Sequence, residues 1–266
     1  EASFAGQQRT FLNIQGGKEV IHAVQECWAS LFEPRAIFYR AQQNVDHLKV
    51  GIAVPVQRMV QSKASGITFT VEPVTNDEVI VIESVYGLGE AVVSGETTPD
   101  MYLIDKEDFT ILQKEVATQE WQLVRNTKKT SKLEDANIKV TVAKAAQEKQ
   151  KITDADIVAL ARISMLIEKH YKSPQDIEWA KEDGKLYIVQ TRPITTIKSS
   201  KGKAEVQEVI DAPLLLSGSP ASPGIGAGPV KIIKGISAIG DVQAWDVLVA
   251  EMTTPDFVPV MRRASA

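Results

Sequence analysis

The chain has 266 residues, 44% hydrophobic and 24% charged, a globular composition long enough for one large or two modest domains. A net charge of −4 without a basic stripe argues against nucleic acid as a partner, no apolar run is long enough to span a bilayer, and no signal peptide opens the chain, so no membrane partner is expected. The single cysteine, Cys27, excludes an internal disulfide and fits a reducing, cytoplasmic compartment; beside Trp28, Leu31 and Phe32 it reads as a buried structural thiol.

Residues 3–17 form a Gly/Gln/Ser loop followed by FLNIQGG. Over 18–33, Val20, Ile21, Val24, Cys27, Trp28, Leu31 and Phe32 recur at helical spacing, and a second helix is expected after Pro34. Strands follow at VGIAVPVQRMV, SGITFTV and EVIVIESVYG, with Pro55 marking the first as an edge or bulged strand. DMYLIDKEDFTILQKEVA reads as two strands around a turn at Lys106, Glu107 and Asp108, and QEWQLVRN as another strand. The lysine-rich stretch 126–151 reads as a solvated excursion. Thr153 caps a helix whose first turn holds Asp154 and Asp156 and whose inner face is Ile157, Leu160, Ala161, Ser164, Ile167 and Tyr171. Polar residues 196–209 read as a linker, DVLVAEM as a short buried strand, and the last residues as a helix begun at Thr254 or Asp256. No internal repeat is present.

Between the capped helix and the linker lies QDIEWAKEDGKLYIVQTRP, residues 175–193. Asp183-Gly184 is a strong hairpin signal between two alternating runs. Successive strand side chains point to opposite faces, so Asp176 and Glu178 share one face and Gln190 and Arg192 share one face of the partner strand. If the two faces coincide, two oxygen donors, Glu178 and Gln190, stand beside a guanidinium. Hard cations such as Mg2+ take oxygen ligands, often one or two from protein and the rest from substrate phosphates. Arg192 offers a planar fork suited to phosphate oxygens. The set suits metal–nucleotide binding better than general acid/base work, although an acid and an amide on facing strands are often only a surface pair.

Three glycine-rich stretches compete as phosphate loops, and none has the spacing of a P-loop. GIGAG (224–228) is followed by Pro229 and a strand where a dinucleotide fingerprint needs a helix. YGLGEAVVSGE (86–96) follows a β-rich run that includes Glu83, and SFAGQQRT (3–10) is the best candidate for a loop over phosphates. His22, His47 and His170 have no metal-ligand spacing and read as structural or surface residues.

ASFAGQQRTFLNI, QRMVQSKASGITFT, ESVYGLGEAVVSGETTPDMY, DIEWA, LYIVQTRP and GDVQAWDVLVAEMTTPDFVPVMRRASA together resemble the phosphoenolpyruvate synthase (pyruvate, water dikinase) family of PEP-utilising enzymes, in family order across nearly the whole chain. The resemblance implies an α/β (α+β) fold: a partial ATP-grasp domain over 1–196, a linker at 197–213, and the start of a swivelling phosphohistidine domain over 214–266. It implies ATP as substrate with Mg2+, Glu178 and Gln190 as metal and nucleotide ligands, and Arg192 on the phosphates as the catalytic side chain. Gly6 and Thr10 match the family's glycine loop over the phosphates, Gln57 begins the hinge strand whose QRMV backbone would meet adenine, and Glu83 lines the same cleft. Pyruvate would bind a C-terminal domain outside this sequence, and a homo-oligomeric parent is compatible with the family.

Both ends read as cut. There is no initiating methionine, and PVMRRASA stops without a helix terminator. The family's ATP-grasp lysine and an arginine are expected upstream of residue 1 and its catalytic histidine beyond Ala266, so the fragment alone is expected to be inactive. The rival readings are another dikinase or an antibiotic phosphotransferase of the same architecture, and a non-catalytic nucleotide-binding protein.

Overall fold

The computed structural model of the chain describes residues 6–128, 132–194, 225–250, 253 and 257–266. The segment expected as a linker, 197–213, lies outside these, as do Thr254 and Asp256.

Helix α1 (Gly17–Ala29) runs through a 3-10 turn (Ser30–Phe32) to α2 (Pro34–Gln42), where Pro34 occupies a first-turn position that needs no N–H partner. Ala23, Cys27 and Leu31 are buried, and the Cys27 thiol donates to Arg9 O at 3.4 Å. The apolar stripe is wider than the surface it packs on, so Ile21, Trp28 and Phe32 remain more than half exposed.

The main sheet is built from β1 (Ala64–Phe69), β2 (Val79–Tyr86), β3 (Asp100–Asp105), β4 (Ile111–Glu115), β7 (Gln175–Glu182) and β8 (Lys185–Pro193), in the spatial order β4-β3-β2-β1-β7-β8, with every neighbouring pair antiparallel. Alternation divides its two faces. Ile80, Ile82, Tyr102, Ile104 and Trp179 form one face and pack with Ile157, Leu160 and Ala161 of α5 (Asp154–Tyr171). Gly66 in β1 makes this packing possible: a Cβ there would lie 1.8 Å from Glu83 O and 2.7 Å from Trp179 Cζ2. Thr153 caps α5 with a reciprocal capping box to Asp156, as its sequence predicts. The inner face is shorter than expected, because Ile167 is only half-buried and Tyr171 is 54% exposed.

Two expectations fail in the first 151 residues. The run 50–60 forms no strand, and ladder bonding starts only at Lys63, whose N–H donates to Lys181 O. Pro55 has no N–H to offer, and the neighbouring edge strand β8 is itself bulged, so neither side supplies a regular ladder. The lysine-rich stretch is solvated at Lys128, Lys132, Lys139, Lys144 and Lys149 as expected, but it is built into secondary structure and Lys151 departs from the expectation outright. Its residues form β6 (Asn137–Thr141), paired with β5 (Trp121–Arg125), and the short helix α4 (Lys144–Gln147). Lys151 is fully buried against Asp100, 2.7 Å away; Asp100 also accepts from Tyr102 Oη and from the backbone N–H of Ala117 and Lys151. A buried ammonium survives because the carboxylate and Ala117 O satisfy it. A further short helix, α3 (Glu90–Val93), follows the glycines after β2.

At the C-terminal end β9 (Val230–Ile233) and β10 (Val247–Ala250) pair in parallel, followed by α6 (Val258–Met261). The DVLVAEM strand forms but is not buried as expected. Ile233, Val242, Phe257 and Val260 cover one face only, leaving Ile232 70% and Val249 43% exposed.

Candidate functional site

The hairpin of residues 175–193 forms as the sequence predicts. Asp183 and Gly184 both take positive φ (48° and 80°), the conformation a two-residue type I′ turn requires. The register pairs Asp176 with Arg192 and Glu178 with Gln190, so all four side chains emerge on one face, opposite to the α5 side. Gln190 Nε2 donates to Glu178 Oε1 at 3.3 Å, and Arg192 Nη2 donates to the same oxygen at 2.9 Å. Arg192 Nε lies 3.2 Å from Asp176 Oδ2, close enough for an ion pair but misaligned for a hydrogen bond, so among the described residues this buried N–H has no acceptor.

A β-bulge sets this arrangement. Trp179 pairs with Ile188 and Glu178 with Gln190, which leaves Val189 as an extra residue. Ile188 therefore follows Trp179 toward the helix face while Gln190 and Arg192 follow Glu178 and Asp176 to the other. The Val189 carbonyl accepts from Gln57 Nε2 at 3.4 Å, which brings Gln57 to the margin of the cluster.

Glu83 joins from β2. Ile67 of β1 is paired with Glu83 on one side and Glu178 on the other, so Glu83, Ile67, Glu178 and Gln190 make one row across four strands. The carboxyls on this face titrate above their ordinary range. Burial raises Glu83, and the charge of Asp176 adds to it. Burial also raises Asp176 and Glu178, with Arg192 opposing the rise in both. Their shared desolvation and repulsion make the face receptive to a cation.

Asp176 is the residue that sequence reasoning left out of its site. The alternation already placed it beside Glu178; its signal was the partner opposite, Arg192, which only the register supplies. Among the described residues neither Gly6 nor Thr10 makes a hydrogen bond or ion pair with Glu178, Gln190 or Arg192, and their loop is tied instead to α1 and its 3-10 turn, with Arg9 N–H donating to Ser30 Oγ at 3.1 Å. Among the described residues no three acidic, histidine or cysteine side chains converge as a complete metal cage.

A concavity of about 600 Å³ lies at the turn end of the hairpin, lined by Lys63, Tyr86, Lys151, Lys181 and Asp183 among others. Each of its lysines already has an acid: Asp183 for Lys63, Asp100 for Lys151 and Asp156 for Lys181. It offers an anion little, and the hairpin face remains the candidate site.

Residues 1–211 match the family model described as pyruvate phosphate dikinase, AMP/ATP-binding domain. The chain belongs to this family. The mixed α/β architecture and the antiparallel sheet agree with the partial ATP-grasp domain that the family's motifs imply. The whole chain of this dikinase-domain protein is also similar to curated relatives: 48% identical over 269 residues to the phosphoenolpyruvate synthase of Pyrococcus furiosus, and 41% identical over 280 residues to that of Pseudomonas aeruginosa. It spans 33% and 35% of those relatives' own lengths. Among the described residues no helix is long and apolar enough to cross a membrane.

Proposed function

We propose that the chain is the ATP-binding part of a phosphoenolpyruvate synthase, an enzyme that converts ATP, pyruvate and water to phosphoenolpyruvate, AMP and phosphate through a phosphohistidine. The observation that carries this reading is the coincidence of Glu178, Gln190 and Arg192 on one sheet face in a member of an AMP/ATP-binding family. Two hard oxygen donors on adjacent strands fit Mg2+ in chemistry. In this reading Glu178 and Gln190 hold Mg2+, which when bound neutralises and orients the polyphosphate. Arg192 contacts the phosphates through its fork. Gln57 borders the base and Glu83 lines the cleft. Gly6 and Thr10 keep their proposed place over the phosphates on family resemblance alone. Positioning and charge neutralisation are the larger share of phosphoryl-transfer catalysis, so this face would supply most of what an ATP-binding part contributes.

The phosphoryl acceptor is proposed to lie outside this chain. His22 faces Glu26, His47 accepts from Arg40 Nε, and His170 packs edge-on against Tyr171, so none of the three histidines is built into the hairpin face. Pyruvate would likewise be bound by a part of the parent that this chain does not contain.

Isothermal calorimetry of the 266-residue chain with Mg-ATP tests the reading. Saturable heat that disappears in a folded Glu178→Ala variant is the expected result. Equal heat from both proteins, or no saturable heat from the native sequence, would remove the hairpin from the nucleotide site.

A further inference from the structure

The metal–nucleotide reading of the hairpin contains a conflict. Glu178 Oε1 accepts from both Arg192 Nη2 and Gln190 Nε2, at 2.9 and 3.3 Å. Both donors fall on the same carboxylate oxygen, and a guanidinium 2.9 Å away opposes a cation by its charge as well as by occupying lone pairs, so a cation that draws on this oxygen has to move Arg192 off it. What it leaves for is visible in the same register. Asp176 stands directly opposite Arg192 on β7, its carboxylate 3.2 Å from Nε, and the misalignment of that contact means a rotation of the guanidinium can improve it.

We propose that Arg192 is a built-in counter-ion of Glu178, displaced when Glu178 binds a divalent cation, and that Asp176 is the positioning residue that keeps the displaced guanidinium on the sheet, facing the phosphates. The inference rests on the function proposed above and deepens it. The paired acids 176 and 178 then have different tasks: Glu178 changes partner from guanidinium to metal, whereas Asp176 holds Arg192 throughout. One arginine serves the same face twice, first screening two desolvated carboxylates and then supplying its fork to substrate. Because Arg192, Asp176 and Glu178 are each only about three-quarters enclosed, with side chains 30%, 24% and 25% exposed, exchange requires no opening of the core.

The test uses Mn2+ alone as the probe, with the full 266-residue chain and electron paramagnetic resonance to count free ion. Circular dichroism confirms that each variant is folded. Glu178→Gln should abolish the site. Arg192→Gln should bind Mn2+ roughly three- to tenfold more tightly than the native sequence, the effect of removing one half-buried ion-pair competitor. Arg192→Lys, which keeps the charge but not the fork, should fall between the two. Unchanged or weaker binding in Arg192→Gln, with Glu178 dependence intact, would overturn the counter-ion proposal and leave the metal-site reading standing. Loss of any Glu178-dependent binding in both proteins would overturn both. For the tether, the Arg192 Nε–Hε resonance should stay ordered on saturation with Mg2+ in the native sequence and become mobile in Asp176→Asn. An ordered signal in that variant would remove Asp176 from this role.

Discussion

Glu83 and Glu178 stand on the same face of the sheet, one on each side of Ile67, and neither is neutralised in full. Glu178 shares Arg192 with Asp176, while among the described residues Glu83 meets burial and the repulsion of Asp176 without a cation. A carboxyl whose folded pKa is raised gives stability below its unfolded pKa and loses it as pH climbs through the folded value. Glu83→Gln should therefore melt higher than the native chain at pH 7, and the gap should close as pH falls from the raised folded value toward the ordinary glutamate value. Thermal unfolding at several pH values measures it; a lower melting temperature at pH 7 would mean that Glu83 is held by a favourable partner.

Glu178→Ala in the context of a complete phosphoenolpyruvate synthase should lower ATP-dependent phosphorylation of the histidine by about 10²-fold or more, equivalent to roughly 3 kcal/mol of barrier. Single-turnover phosphorylation with labelled ATP reads this directly. Native rates in a folded variant would place the metal ligand elsewhere.

Gly66→Ala tests the core beneath the site. The added methyl meets backbone at Glu83 O, which cannot rotate away, as well as the Trp179 ring. Overpacking of this kind costs about 1–3 kcal/mol and here should fall at the upper end or beyond. Urea denaturation should show the midpoint shifting down, with nucleotide binding damaged in proportion because Trp179 and Glu178 are adjacent on β7.

The Lys151–Asp100 pair should behave as a unit. Lys151→Met leaves a buried, uncompensated carboxylate and should cost about 3–5 kcal/mol, whereas Lys151→Met combined with Asp100→Leu should recover much of it. The double-mutant cycle by chemical denaturation gives the coupling. Additive losses would show that the two residues are stabilised independently by Tyr102 and Ala117.

Thr153→Ala removes the hydroxyl that accepts from Asp156 N–H, leaves the backbone N–H of residue 153 donating to the Asp156 carboxylate, and should cost about 1 kcal/mol, detectable as a shift in the thermal midpoint.

What the sequence by itself determined were local events with short-range causes. The Asp183-Gly184 turn, the alternation on either side of it and the cap at Thr153 are each decided within a few residues, by positive-φ tolerance, by the two-residue period of a strand and by a hydroxyl that meets an unpaired N–H. From these, Glu178 could be assigned to one face of its strand and Gln190 with Arg192 to one face of the partner strand, while the coincidence of the two faces stayed open. The tertiary structure decided everything that depends on which strand lies next to which. The pairing of β1 with both β2 and β7 brings Glu83 into line with Glu178 from 95 residues away in the chain. The bulge at Val189 puts Gln190 on the face of Glu178, and the register that follows makes Asp176 the partner of Arg192. The polar stretch 126–151 is solvated at most of its lysines as read and misled at Lys151, because a lysine is read as solvated until its carboxylate is known, and Asp100, the partner that permits its burial, lies 51 residues earlier. The run 50–60 misled in the opposite sense: its composition suits a strand, but a ladder needs a second strand with matching free donors and acceptors, and between Pro55 and a bulged edge that partner is missing.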